Sequence, residues 1–75
     1  MESDELKKLA RNAMGAPFRI RMTGGEQFEV RHPDFITVSE YHAAVVMPED
    51  GVERLNILTL VNISTVEMLP TPAEA

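Results

Sequence analysis

Two hydrophobic periods meet in the first half of the chain. Apolar residues recur at helical spacing up to residue 14 and then at every second position from residue 18 onwards. The first pattern predicts an amphipathic helix over about residues 4–14, with Ser3 or Asp4 as its N-cap. We expect Gly15 to end that helix in a left-handed conformation. The second pattern predicts a β-hairpin.

The turn of this hairpin lies at two glycines, and its register follows from which side chains share a face. A two-residue loop at Gly24 and Gly25 would mix apolar and polar residues on each face. A three-residue loop over residues 24–26 instead pairs Met22 with Phe28, so that apolar side chains face one another. We therefore expect the three-residue loop. The outer face of the hairpin would then carry Arg19, Arg21, Glu29 and Arg31.

The rest of the chain alternates between short apolar segments and turns. The predicted elements are strands at 35–38, 43–47 and 52–58, a helical turn at 59–62, and a last strand at 63–69. We expect one domain over residues 1–69 and a flexible tail over residues 70–75. The predicted fold is mainly β, with an N-terminal α-helix followed by a small five-stranded barrel over about residues 17–69.

The composition argues against a disulfide-bonded, secreted or membrane-spanning protein. The chain has 75 residues and no cysteine, which excludes disulfides and thiol nucleophiles. Domains of this size often gain stability by oligomerising. Charged residues near the start exclude the apolar centre of a signal peptide, and no apolar run approaches the roughly 20 residues that span a membrane. These features favour a cytoplasmic protein without a membrane partner.

Charge is unevenly divided along the chain. The net charge is −5; residues 1–32 contribute six cations and five acids (+1), and residues 33–75 contribute one cation and seven acids (−6). The acidic balance argues against general binding of polyanions, because phosphate neutralisation supplies most nonspecific affinity for nucleic acid. The candidate contacts for RNA or another ligand are Arg19, Arg21, Arg31, Lys7, Lys8 and Arg11.

Two pairs of polar residues could supply metal ligands or acid–base groups. His32 and Asp34 lie in one turn, and Glu40 and His42 lie in the next, so their side chains could face each other. A metal site needs three or four oriented ligands, however, and His-Pro-Asp is ordinary turn chemistry. We therefore predict no metal and no cofactor, with His32, Asp34 and His42 as weak candidates. The hydroxyl residues lack a spaced base and acid, so no enzyme activity is expected.

Three stretches carry a resemblance to known proteins. Residues 16–30, from Ala-Pro-Phe through Gly-Gly to Val, and residues 61–66, Val-Asn-Ile-Ser-Thr-Val, resemble the two motifs of the Sm-like family, to which the RNA chaperone Hfq belongs. Residues 28–35, Phe-Glu-Val-Arg-His-Pro-Asp-Phe, are more similar to a group of short uncharacterised bacterial proteins. The resemblance implies an Sm-like or SH3-like barrel whose edge strands join subunits into a ring.

Departures from the Hfq pattern bear on function. The resemblance places Leu60 and Val61 at the Lys-His pair that binds uridine, and Arg21 at an aromatic stacking position. The basic rim of the family falls on residues 12–15, which hold no cation. Stacking platforms and cations supply most single-strand affinity. We therefore predict a non-catalytic oligomeric binding or assembly module. The alternative is an RNA-binding Sm-like protein of the Hfq type.

An apolar run over residues 55–68 is longer than one strand of a small barrel needs. Exposed apolar edge strands aggregate unless they are paired. We therefore expect these segments to pair between copies and to form a homo-oligomer, with a ring as the expected arrangement. The candidate edge residues are Leu55, Ile57, Ile63, Val66 and Met68.

Overall fold

One α-helix, six β-strands and two short 3₁₀ turns make up the computed structural model, which describes residues 1–70. The elements are α1 (Ser3–Arg11), β1 (Phe18–Met22), β2 (Gln27–Val30), β3 (Ile36–Val38), β4 (His42–Glu49), β5 (Val52–Thr59) and β6 (Ile63–Met68). The 3₁₀ turns are Pro33–Phe35, before β3, and Leu60–Asn62, between β5 and β6. The prediction of a mainly β fold with an N-terminal helix is confirmed.

The strands form two antiparallel sheets of three strands each. The first sheet has the order β2-β1-β6, and the second has the order β3-β4-β5. The predicted five-stranded barrel is therefore wrong: residues 1–70 contain six strands, and the two sheets do not close into a barrel. Pro33 supplies a physical reason, because proline lacks an N–H and has a fixed φ. The turn that it begins separates β2 from β3 and directs them into different sheets.

The helix begins one residue earlier than predicted. Its N-cap is Glu2, whose side chain makes no capping hydrogen bond, so the prediction of Ser3 or Asp4 as the cap is wrong. Asp4 and Glu5 instead lie in the first turn, where negative charge interacts favourably with the helix dipole.

The helix also ends three residues before the predicted boundary, at Arg11. The N–H of Ala13 donates to the carbonyl of Ala10 at 3.2 Å, a bond over three residues that tightens the chain after the helix. The predicted left-handed conformation of Gly15 is wrong, because its φ is not positive. Ala13 is nevertheless fully buried, so the apolar stripe continues beyond the helix.

The hairpin between β1 and β2 has the predicted faces but a different register. Ile20 pairs with Phe28, so the predicted pairing of Met22 with Phe28 is wrong by two residues. The N–H of Met22 donates instead to the carbonyl of Glu26 at 2.8 Å, and the loop contains residues 23–25. Gly25 has a φ of 100°, which suits the last position of such a loop. Because side chains alternate with period two, a shift of two residues leaves apolar groups facing apolar groups.

The remaining elements agree with the predicted segments to within one or two residues. The core combines the facing sides of both sheets with the apolar side of α1. Its fully buried large side chains are Phe18, Leu6, Ile20, Val30 and Val45. The helix in residues 1–70 is too short to cross a membrane. The predicted tail lies outside the described residues from position 71 onwards.

Candidate interaction surfaces

The outer face of the first sheet carries a chain of ion pairs. The central strand β1 presents Arg19 and Arg21 outwards, and strand pairing places Glu29 of β2 and Glu67 of β6 beside Arg19 on either side. Arg31 follows β2 and reaches back to Glu29. We call these five residues the arginine–glutamate network.

Short distances join every member of this network. Arg19 Nη2 lies 2.8 Å from Glu29 Oε2, and Arg19 Nη1 lies 3.1 Å from Glu67 Oε1. Arg21 Nη2 lies 2.8 Å from the same Glu67 oxygen. Arg31 Nη2 lies 3.0 Å from Glu29 Oε1. Three candidate RNA contacts are therefore brought together on one face, but two carboxylates share them.

These contacts shift the titration of the acidic members. Hydrogen bonds from Arg19, and secondly from Arg31, lower the pKa of Glu29 below its ordinary value. Hydrogen bonds from Arg21, and secondly from Arg19, lower the pKa of Glu67. Both carboxyls therefore stay ionised at neutral pH, and the network holds three positive and two negative charges. Little positive charge is left for phosphate binding.

The other three candidate cations lie on the helix. Lys7, Lys8 and Arg11 are exposed on α1, and none of them makes an ion pair within residues 1–70. They are followed by Met14, an exposed methionine. The structure thus divides the six predicted contacts between the outer face of the first sheet, where glutamates pair with the arginines, and α1, where the three cations are unpaired within residues 1–70.

The two candidate histidines lie apart in the fold, one at a turn and one in a strand. His32 Nδ1 accepts a hydrogen bond from the backbone N–H of Asp34 at 3.0 Å and caps the Pro33–Phe35 turn. His42 lies in β4, opposite Thr59 of β5. Within the part of the chain that the structure describes, no three His, Asp or Glu residues form a group that could hold a metal ion.

The candidate edge residues lie on two strands that each end a sheet. Among residues 1–70, β5 pairs only with β4, and β6 pairs only with β1. Leu55 and Ile57 of β5 are 65% and 64% exposed, and Met68 of β6 is 52% exposed. Val66 and Ile63 are half-buried against the core. Both of these free edges therefore combine unpaired backbone groups with partly exposed apolar side chains.

A groove that the sequence patterns do not predict lies beside the start of α1. Its volume is about 530 Å³, and its lining includes Met1, Glu2, Glu5, Glu40, Tyr41 and Val61. These residues come from the helix start, the β3–β4 turn and the β5–β6 turn. The feature that identifies the groove is the exposure of Tyr41 and Val61 at two turns. The sequence does not show that these two turns are neighbours in the fold.

Comparison with protein-family models, with curated protein sequences and with solved structures found no match to this chain. The Sm-like relationship stays a prediction from the motifs. The function of the chain must therefore be inferred from the geometry and charge of its surfaces.

Proposed function

We propose that the protein is a non-catalytic assembly module that forms a homo-oligomer by pairing β5 of one copy with β6 of the next. The observation that carries this proposal is that the free edges of β5 and β6 belong to different sheets and both expose apolar side chains. An edge with unpaired N–H and C=O groups is a template for another strand.

The two edges have similar lengths. β5 has eight residues and β6 has six, so the full length of β6 can pair with part of β5. Pairing would join the first sheet of one copy to the second sheet of its neighbour, giving a continuous six-stranded sheet across the interface. A contact between two different surfaces of the same chain repeats head to tail and closes into a ring when its rotation allows.

The apolar side chains also favour one register between β5 and β6. Val66 and Met68 project to the core side of the first sheet, because they pair with Ile20 and Phe18. A register that places Leu55 and Ile57 of the neighbour on that same side would cover exposed apolar surface on both strands. A slip by one residue would move these leucine and isoleucine side chains to the opposite face.

The Sm-like resemblance supports the same arrangement, because that family joins its subunits through edge strands. We propose that the two sheets are the halves of an Sm-like fold and that the RNA role is absent. The arginine–glutamate network supports this second point, since its carboxylates occupy the arginines that could otherwise contact phosphates.

Size-exclusion chromatography with light scattering tests the assembly. We expect the wild-type mass to be at least twice the 8.4 kDa of one chain. We expect Leu55→Lys to elute as a monomer, because the lysine would carry an unpaired charge into the interface. Thr37→Lys is the matched control, since Thr37 is exposed on β3 at the opposite edge of the same sheet.

A monomeric wild-type protein would refute the assembly. Co-elution of a pool of short RNAs that weakens steeply with salt would instead support the RNA-binding alternative.

A further inference from the structure

We propose that the groove beside the start of α1 binds a cationic segment of a partner protein, in which a lysine or arginine lies next to an apolar residue. We call it the acidic groove, and its defining residues are Met1, Glu2, Glu5, Glu40, Tyr41 and Val61. This inference rests on the proposed role as a binding module, but it does not require the β5–β6 pairing.

The apolar residues of the acidic groove are exposed, and their backbone is held in place. Tyr41 is 67% exposed and Val61 is 78% exposed, although both lie at turns whose backbones are bonded together. The N–H of Leu60 donates to the carbonyl of Tyr41 at 2.9 Å, and the side chain of Leu60 is buried. The two turns are therefore fixed side by side, while the side chains of Tyr41 and Val61 stay mostly exposed in the part of the chain that the structure describes.

The rim of the groove is negatively charged. Glu2, Glu5 and Glu40 supply three carboxylates, and the ammonium of Met1, 3.4 Å from the carbonyl of Leu60, supplies one cation, which leaves a local charge of −2. Favourable interaction with the helix dipole accounts for Glu2 and Glu5, but Glu40 belongs to a different segment. None of the three carboxylates makes an ion pair within residues 1–70.

No lysine or arginine is among the residues that line the acidic groove, and Lys7, Lys8 and Arg11 lie further along α1. Arg54 is the one lysine or arginine in residues 33–75, and its Nε lies 2.9 Å from Glu49 Oε1 on the β4–β5 hairpin. An anionic ligand such as RNA would therefore meet repulsion at the acidic groove. Charge complementarity selects a cationic occupant.

The combination of an exposed aromatic ring and carboxylates suits a particular side chain. A lysine or arginine could lie over the Tyr41 ring and reach the Glu40 carboxylate, and a neighbouring apolar side chain could cover Val61. The groove volume of about 530 Å³ is within the usual range of ligand sites. Because it is an open surface formed by three segments, a stretch of polypeptide would cover more of it than a small cation.

Fluorescence anisotropy with two labelled probes tests this inference. The first probe is a short fluorescein-labelled peptide of alternating leucine and lysine, and the second has glutamate in place of every lysine. We expect the lysine probe to bind and its affinity to fall as NaCl is raised, because the contacts are exposed to solvent. We expect no binding of the glutamate probe. Equal binding of both probes, or no binding of the lysine probe, would overturn the proposal.

Paired variants locate the binding. Glu40→Gln with Tyr41→Ala should weaken binding by about tenfold or more, since both contacts with the cation are lost. The matched control is Asp50→Asn with Met14→Ala, which removes the same charge and one exposed apolar side chain from residues that do not line the groove. It should change affinity by less than about twofold. Equal weakening by the two double variants would show nonspecific attraction and would refute the acidic groove.

Two further measurements distinguish peptide binding at the acidic groove from the proposed homo-oligomer. The groove variant should retain the wild-type mass in light scattering, and the edge variant Leu55→Lys should retain the peptide affinity of the wild type. Circular dichroism reports whether each variant is folded, and Val61→Asn, at a highly exposed position, is the second groove variant if Tyr41→Ala unfolds the chain. Wild-type affinity in a folded groove variant would overturn the proposal.

Discussion

At the scale of single residues, Arg19 has the largest structural role on the outer face. One guanidinium bonds Glu29 on one neighbouring strand and Glu67 on the other. It therefore connects all three strands of the first sheet by side chains, in addition to the backbone bonds. The same contacts raise the pKa of Arg19 and lower those of its two partners.

Acidification should weaken this network. The pKa of Glu67 is lower in the folded chain than in the unfolded chain, so its contribution to stability is complete above the unfolded pKa and is lost as pH falls through the folded pKa. We expect Glu67→Gln to lower the urea midpoint at neutral pH. The difference from wild type should shrink progressively below about pH 4.3. Urea unfolding at a series of pH values measures it.

Glu26→Gln is the control for this pH series, because the Glu26 side chain is exposed at the hairpin and makes no ion pair within residues 1–70. Its urea midpoint should follow that of the wild type. A gap between Glu67→Gln and wild type that stays constant down to strongly acidic pH would contradict the role assigned to the carboxylate.

At the scale of elements, the β4–β5 hairpin depends on two residues with left-handed backbone conformation. Asp50 has a φ of 52° and Gly51 has a φ of 77°, and Glu49 pairs with Val52 on either side of them. A two-residue turn with both φ values positive matches the right-handed twist of the flanking strands. Aspartate and asparagine tolerate this region better than other residues with a Cβ.

Substitution at Asp50 should reflect that tolerance. We expect Asp50→Ala to destabilise the fold by about 1 kcal/mol, because alanine lacks the local polar contacts that help aspartate adopt a positive φ. Asp50→Asn should stay within about 0.5 kcal/mol of wild type. Thermal unfolding followed by circular dichroism gives both values. Equal stability of the alanine and asparagine variants would show that the turn is not a source of strain.

Local patterns predicted the elements better than the pairing between them. The β4–β5 hairpin was predictable because the turn-forming residues at 48–51, Pro-Glu-Asp-Gly, separate two strand-like segments. The end of α1 was not, since bonds over three residues replace the expected stop at Gly15. The separation of β2 from β3 depends on which sheet each strand joins, and alternation along one strand carries no information about its neighbours.

For the candidate surfaces too, contacts between residues near in sequence were predicted and contacts between distant segments were not. Arg19 and Glu29 were placed on one face by the alternation within the first hairpin, but Glu67 was missed because it lies 48 residues away from Arg19. The acidic groove brings together the helix start, Tyr41 and Val61, which are separate in the sequence. Surfaces formed by distant segments become visible only when the topology is known.

At the scale of the whole molecule, β5 and β6 each leave one edge of a small sheet without a partner strand from the described part of the chain. If these two strands pair between copies, folding and association are linked, and the midpoint of thermal unfolding depends on protein concentration. We expect that midpoint to rise as the wild-type concentration is raised. For Leu55→Lys it should be independent of concentration. Differential scanning calorimetry over a range of concentrations measures both.

Thr37→Lys is again the control, and its unfolding midpoint should show the wild-type dependence on concentration. A wild-type midpoint that does not change with concentration would contradict linked association.

The pairing of β1 with β6 also has a consequence for protein synthesis. This pairing joins Phe18 to Met68, whereas the second sheet contains only residues 36–59. A ribosome must therefore release the second sheet in full before the first sheet can receive its third strand. During that interval β1 has β2 as its only neighbour in the first sheet. The core side chains of β1 therefore stay incompletely covered until β6 has emerged.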